Sequence, residues 1–113
     1  MAVSTARQFY ADQVRYIQQK DPDGLIDNHY NEDATLVSHN GVVKGRQALK
    51  QYFRSYIEML GDLQVKSTDK FTESEDAIMF EASVHSALGD ARVYDAWLLR
   101  DGKIQYHFSG VMS

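Results

Sequence analysis

At 113 residues the chain has the length of one domain, 1–113, with one modest core, since domains ordinarily run to ~100–200 residues. A hydrophobic share of 43%, a charged share of 25% and a net charge of −4 suit a globular protein; with no cluster of Lys and Arg, they exclude the electrostatic footprint of a nucleic-acid partner. No cysteine is present, which excludes disulfides, thiolate metal sites and a cysteine nucleophile.

The opening stretch, Met1 to Gln8, lacks the ~7–15-residue apolar core of a signal peptide. Thr5 and Gln8 have capping-box spacing, and Tyr10, Val14 and Ile17 follow at steps of four and three. That pattern predicts a helix from Thr5 through about residue 19 with one apolar face. Asp21 can cap a second, short helix with Pro22 at its first position, where a missing N–H costs nothing. Leu25, Ile26 and His29 form its inner face.

Residues 33–39 read as a strand ended by Gly41. From Gly45 to Leu60 the apolar positions Leu49, Tyr52, Phe53, Tyr56, Ile57 and Leu60 recur at three and four, and Gly61 is a suitable helix stop. Beyond Gly61 the period changes to two. Residues 63–73 alternate weakly, whereas Ile78, Phe80, Ala82 and Val84 alternate cleanly with Met79, Glu81, Ser83 and His85. Gly89-Asp90 reads as a turn, residues 91–100 as a strand, Asp101-Gly102 as a hairpin signal and residues 103–112 as the last strand. Three helices interleaved with one strand and followed by four meandering strands predict an α+β fold. Apolar runs such as Ala96-Trp97-Leu98-Leu99 fall far short of the ~20 residues that span a bilayer. The expectation is a soluble, cytoplasmic protein with no membrane partner.

Three motifs stand out: Tyr30-Asn31-Glu32-Asp33-Ala34-Thr35 leading to Ser38 and Gly41, Gly45-Arg46 with Tyr52-Phe53-Arg54, and the run from Asp95 to Gly102-Lys103-Ile104. Their order resembles the nuclear transport factor 2-like superfamily, in its SnoaL-like polyketide cyclase and ketosteroid isomerase-like branch, over roughly residues 5–112. The resemblance implies a cone-shaped, cystatin-like fold with three N-terminal helices packed on a strongly curved, mostly antiparallel sheet. It also implies a deep pocket for a small, mostly apolar or aromatic ligand, and a homodimer formed through the outer sheet face.

In the ketosteroid isomerase branch a base carboxylate stands near the end of the first strand, while a tyrosine and a protonated aspartic acid hold the enolate oxygen. Matching Tyr30 through Gly41 without a gap puts Ser38 at the base position, and a serine hydroxyl has no useful basicity near pH 7. Steroid-type isomerisation is therefore disfavoured. The tyrosine position falls on Tyr16 by its Arg15-Tyr16-Ile17 wording and on Gln13 by counting back from Asp21. Asp95 matches the aspartic acid, with a turn one residue shorter before Gly102.

The residues themselves support Asp95 as a pocket group, because its period-two neighbours Ala91, Val93, Trp97 and Leu99 are apolar. A carboxyl on that face is desolvated and pushed towards its protonated form; the alternative is an ordinary exposed strand carboxylate. His107 depends on hairpin register. A three-residue loop, Arg100-Asp101-Gly102, places it opposite Asp95, whereas a two-residue loop puts Phe108 there and turns His107 outward. Facing the pocket, His107 would be the one residue placed as a base near neutral pH.

His29, His39 and His85 lack metal-ligand spacing and read as surface or helix-end histidines. Ser38 lacks a nucleophile-elbow context. No metal and no cofactor are expected. Tyr52, Trp97 and Val111 read as walls, with Ser38 as a polar contact. The leading functional expectation is a cofactor-independent acid–base enzyme of isomerase, cyclase or dehydratase type, with Asp95, His107 and Tyr16 or Gln13 acting on the ligand. The alternatives are a ligand-binding module without turnover and a structural dimerisation domain with a self-filled cavity.

Overall fold

The computed structural model describes residues 4–112. The elements in chain order are α1 (Thr5–Gln18), α2 (Pro22–His29), β1 (Tyr30–Ser38), β2 (Gly41–Lys44), α3 (Arg46–Leu60), β3 (Gln64–Glu73), β4 (Ala77–Ser86), β5 (Gly89–Arg100) and β6 (Lys103–Val111). The strands form one six-stranded sheet in the order β2-β1-β6-β5-β4-β3, antiparallel throughout except where β1 meets β6. The three helices pack on its concave face, which is the expected α+β cone.

Local chemistry explains the helix ends. Ser4, one residue before the expected cap, accepts a hydrogen bond from the Arg7 amide. Gln8 does not close a capping box and donates instead to Asp12. Asp21 caps α2 by accepting from Gly24, with Pro22 at the first turn as anticipated. The α3 stripe of Leu49, Phe53, Ile57 and Leu60 is buried, and Gly61 ends that helix at φ 62°, a conformation that costs glycine nothing. The Arg46 guanidinium donates twice to the Tyr30 carbonyl, at 3.0 and 3.1 Å. This clamp ties the start of α3 to the α2–β1 junction and gives the Gly45-Arg46 motif a structural purpose.

Three expectations need correction. The first strand begins at Tyr30, not residue 33, and Gly41 opens β2 rather than merely ending β1. Only four residues long, β2 pairs Val42 with Val37 and is too short to show a period. The turn placed at Gly89-Asp90 lies at Ala87-Leu88, with Ser86 and Gly89 already paired across the ladder.

The third correction concerns the last hairpin. Arg100 pairs with Lys103, so the loop has two residues, Asp101 and Gly102, both at positive φ. That is the primed turn whose twist suits a hairpin. The ladder then slips: Leu99 pairs with Ile104, but Leu98 pairs with Tyr106, leaving Gln105 as a bulge. The bulge restores inward facing for every second residue from His107 onward. Ile104, before the bulge, is 0% exposed inside the core, whereas Tyr106 and Phe108 beyond it are exposed. His107 points inward despite the two-residue loop.

Candidate functional site

Between the concave face of the sheet and helices α1 and α3 lies a cavity of about 380 Å³, within the range of small-molecule sites. Its walls are aromatic and aliphatic: Tyr10 from α1, Tyr52, Phe53 and Tyr56 from α3, and Phe80, Val93 and Trp97 from the sheet. Gln13, Ser38, His39, Asn40, Asp95, His107 and Ser109 supply polar atoms. Among the described residues no lysine or arginine lines it.

Asp95 and His107 form its polar centre. His107 Nε2 lies 2.6 Å from Asp95 Oδ1, and His107 Nδ1 lies 2.8 Å from the Tyr30 hydroxyl. Both ring nitrogens of His107 are thus engaged, and the residue is only 4% exposed. Asp95 keeps 19% of its side chain exposed, and its Oδ2 makes no hydrogen bond to the described residues. Burial pushes the Asp95 carboxyl above the usual range, while the His107 hydrogen bond opposes that rise. Of the two, the Asp95 side chain is the more exposed.

The hydrogen bonding continues behind His107. Gln13 Nε2 donates to the Tyr30 hydroxyl at 3.0 Å, and Gln13 Oε1 lies 2.8 Å from His29 Nδ1. The His29 ring stacks on Phe9, with centroids 3.9 Å apart. Burial lowers its pKa from 6.5 to about 4, so it is neutral at neutral pH. Tyr30 is fully enclosed, and burial raises its hydroxyl well above the ordinary value of 10.0. Nearby, burial lifts Tyr56 to about 12 and Tyr52 upward, so both remain hydrogen-bond donors.

The structure brings Gln13, Ser38, Tyr52, Asp95, Trp97, His107 and Val111 to the cavity. Tyr16 is not among its lining residues; its ring stands edge-on to His29 at 5.4 Å. Of the two α1 candidates, Gln13 is the inward one, but both ends of its amide are occupied. The Ser38 hydroxyl oxygen accepts from the Asn40 amide at 3.2 Å. Val111 is 67% exposed and sits where the cavity opens. Trp97 is a buried wall whose ring meets His107 edge-on at 5.9 Å.

Two participants escaped the sequence reading. His29 is a helix-end histidine but is buried, as the spacing of Leu25, Ile26 and His29 already indicated. Tyr30 shares strand parity with Leu36 and Ser38, and would have been found had the strand been started three residues earlier. Among the described residues no group of three or more His, Asp or Glu is arranged to hold a metal ion. No helix among them is long and apolar enough to cross a membrane.

A family model for the SnoaL-like domain matches residues 5–107. The chain belongs to the SnoaL-like family. Solved structures agree with the fold. An NTF2-like protein from Anabaena variabilis is 21% identical with a TM-score of 0.76, covering 100% of this chain and 95% of that one. A protein from Kribbella flavida is 15% identical with a TM-score of 0.78, over 96% of this chain and 88% of that one. TerC, solved in co-crystals with polyporic acid, is 16% identical with a TM-score of 0.77, over 96% and 92% of the two chains. No curated protein matches this SnoaL-like chain in sequence.

Proposed function

We propose that this SnoaL-like protein is a cofactor-independent acid–base enzyme that moves a proton within a small, uncharged, apolar or aromatic molecule, in an isomerisation, cyclisation or dehydration. The observation that carries the reading is the 2.6 Å Asp95–His107 hydrogen bond inside a cavity otherwise walled by rings and aliphatic side chains. Burial raises the pKa of a carboxyl held there, which suits it to take up and release a proton. The absence of lysine and arginine from the walls favours an uncharged ligand, because a buried anion would find no partner. The co-crystallisation of TerC with polyporic acid is in keeping with a small-molecule ligand on this scaffold.

In the step we envisage, Asp95 Oδ2 removes a proton from a carbon next to a carbonyl. The C–H electron pair moves to the carbonyl oxygen as an enolate, and Asp95, whose proton can exchange with water at its exposed edge, returns one proton to a carbon, so no atom or electron is gained or lost. Tyr52 and Tyr56, both lining the cavity, would donate to the developing oxyanion. This assigns to them the role expected of Tyr16 or Gln13. His107 supports Asp95 from behind instead of acting as the base itself.

The probe 2-tetralone, with acidic protons between a ring and a carbonyl, tests the reading. The protein should accelerate deuterium uptake at its α-carbon from heavy water, and Asp95→Ala should abolish that acceleration. Binding of the probe with no faster exchange than in buffer would leave a ligand-binding module. Open space of about 380 Å³ supports either of these over a self-filled cavity.

A homodimer through the outer sheet face is also proposed. Ladder register aligns Val42, Val37, Phe108, Ala96 and Met79 in one row across five strands. Val42, Phe108 and Met79 are exposed in the single chain. Such a continuous apolar row is more than a monomer ordinarily shows to water, and a two-fold contact lets it cover itself.

A further inference from the structure

We propose that Tyr30 is a positioning residue: oriented by Gln13, which is itself oriented by His29, it holds neutral His107 in the tautomer that carries its proton on Nε2 and so aims an N–H at Asp95. The idea refines the acid–base reading above, yet it is measured on the protein without substrate, so the two can fail separately.

Four hydrogen bonds join five side chains from α1, α2, β1, β6 and β5, and with the Gln13 amide oriented as it stands only one arrangement gives every donor along them an acceptor. The Gln13 amide nitrogen can only donate, so at 3.0 Å the Tyr30 oxygen accepts from it. Tyr30 has a single proton, and its other partner is His107 Nδ1 at 2.8 Å. That nitrogen must therefore be bare, which leaves the imidazole proton on Nε2, 2.6 Å from the Asp95 carboxylate. At the far end the Gln13 oxygen can only accept, so His29 carries its proton on Nδ1. Every donor then points the same way, from His29 to Asp95.

The chain is enclosed, since Gln13, His29, Tyr30 and His107 are all buried. A reversed bond would strand a buried donor against a donor, and a buried polar group without its partner is costly. Reversal without that cost requires turning the Gln13 amide, moving the protons of Tyr30 and His29, and adding one proton to the Asp95–His107 pair, all together. Uptake of a proton on the cavity-facing Oδ2 disturbs none of these bonds. The chain thus presents one oxygen of Asp95 to a ligand while holding the other still.

The experiment is nitrogen-15 NMR of the histidine rings in the ligand-free protein near neutral pH. The expected signature is two buried histidines in opposite tautomers, His107 protonated on Nε2 and His29 on Nδ1. In Asp95→Ala, His107 should keep its Nε2–H form, because the preference is imposed from the Tyr30 side. Only the double variant Asp95→Ala/Tyr30→Phe should show mixed tautomers. His107 protonated on Nδ1, matching tautomers at the two ends, or mixing already in Asp95→Ala would overturn the proposal. With the 2-tetralone probe, Tyr30→Phe should lower kcat for exchange about tenfold with KM unchanged, because the imidazole loses the bond that fixes its orientation while Asp95 alone keeps its tautomer. If no exchange occurs even in the unaltered protein while the opposite tautomers are seen, the acid–base reading fails and the positioning role stands.

Discussion

His107 and Asp95 share a 2.6 Å hydrogen bond although they do not face each other on the β5–β6 ladder: His107 pairs with Trp97, and Asp95 with Ser109. The contact is diagonal, two positions along the strand, and it exists because the Gln105 bulge turns His107 inward. A diagonal reach suits this pair. It lets Nε2 approach one carboxylate oxygen edge-on while the other stays directed to the cavity.

Asp95→Asn should make the protein more stable at pH 7, by roughly 0.5–2 kcal/mol, the usual gain from relieving a functional compromise. The Asp95 carboxyl is raised on folding, so its favourable contribution is complete below its unfolded pKa and is lost as pH rises through the folded one. Neutral pH is where the ionised, buried form burdens the fold most. An Asn oxygen still accepts from His107 without that charge. Urea unfolding at pH 7 and pH 4 checks the sign, and the advantage of Asn should shrink at the lower pH.

His29 should make the fold acid-sensitive. Its pKa falls from 6.5 to about 4 on folding, so its contribution is present above 6.5 and is lost as pH falls through the folded value. From this group alone, stability at pH 5 should be about 2 kcal/mol below that at pH 7. The unfolding midpoint in urea measures the slope. A His29→Asn variant, whatever its absolute stability, should lose that component of the pH dependence.

Phe108→Asp should convert a dimer to a monomer. Phe108 stands in the middle of the outer apolar row and stacks on Tyr106. A buried charge there should weaken self-association by at least about thirtyfold, the effect of a strong interface residue. Light scattering at micromolar concentration should give twice the chain mass of 12.9 kDa for the unaltered protein. A single-chain mass would remove the homodimer from the proposal, and the exposed row would then need another explanation.

The helices and the outer strands were legible because their signals are local. Asp21-Pro22, Gly61 and the spacing of Leu49, Phe53 and Ile57 each act within a few residues. The alternation from Ile78 to Val84 likewise shows which face of β4 is buried. Strand β2 left no such trace, since four residues cannot display a period, and it forms because β1 offers a free edge. Local wording points to Tyr16 and the count back from Asp21 to Gln13; the helix rotation that buries Tyr10 and Gln13 turns Tyr16 towards His29.

By itself, then, the sequence determined the α+β class, the SnoaL-like resemblance and the apolar parity that Asp95 shares along β5, because caps, turns and apolar periods are read from neighbours along the chain. Only the tertiary structure decided that His107 faces Asp95, that Tyr30 and His29 stand behind it, and that Gln13 is the α1 residue joining them. The hydrogen-bonded residues at positions 13, 29, 30, 95 and 107 come from five elements. Their meeting depends on a one-residue bulge and on the parallel pairing of the first strand with the last, and both are settled by contacts between segments far apart in the chain.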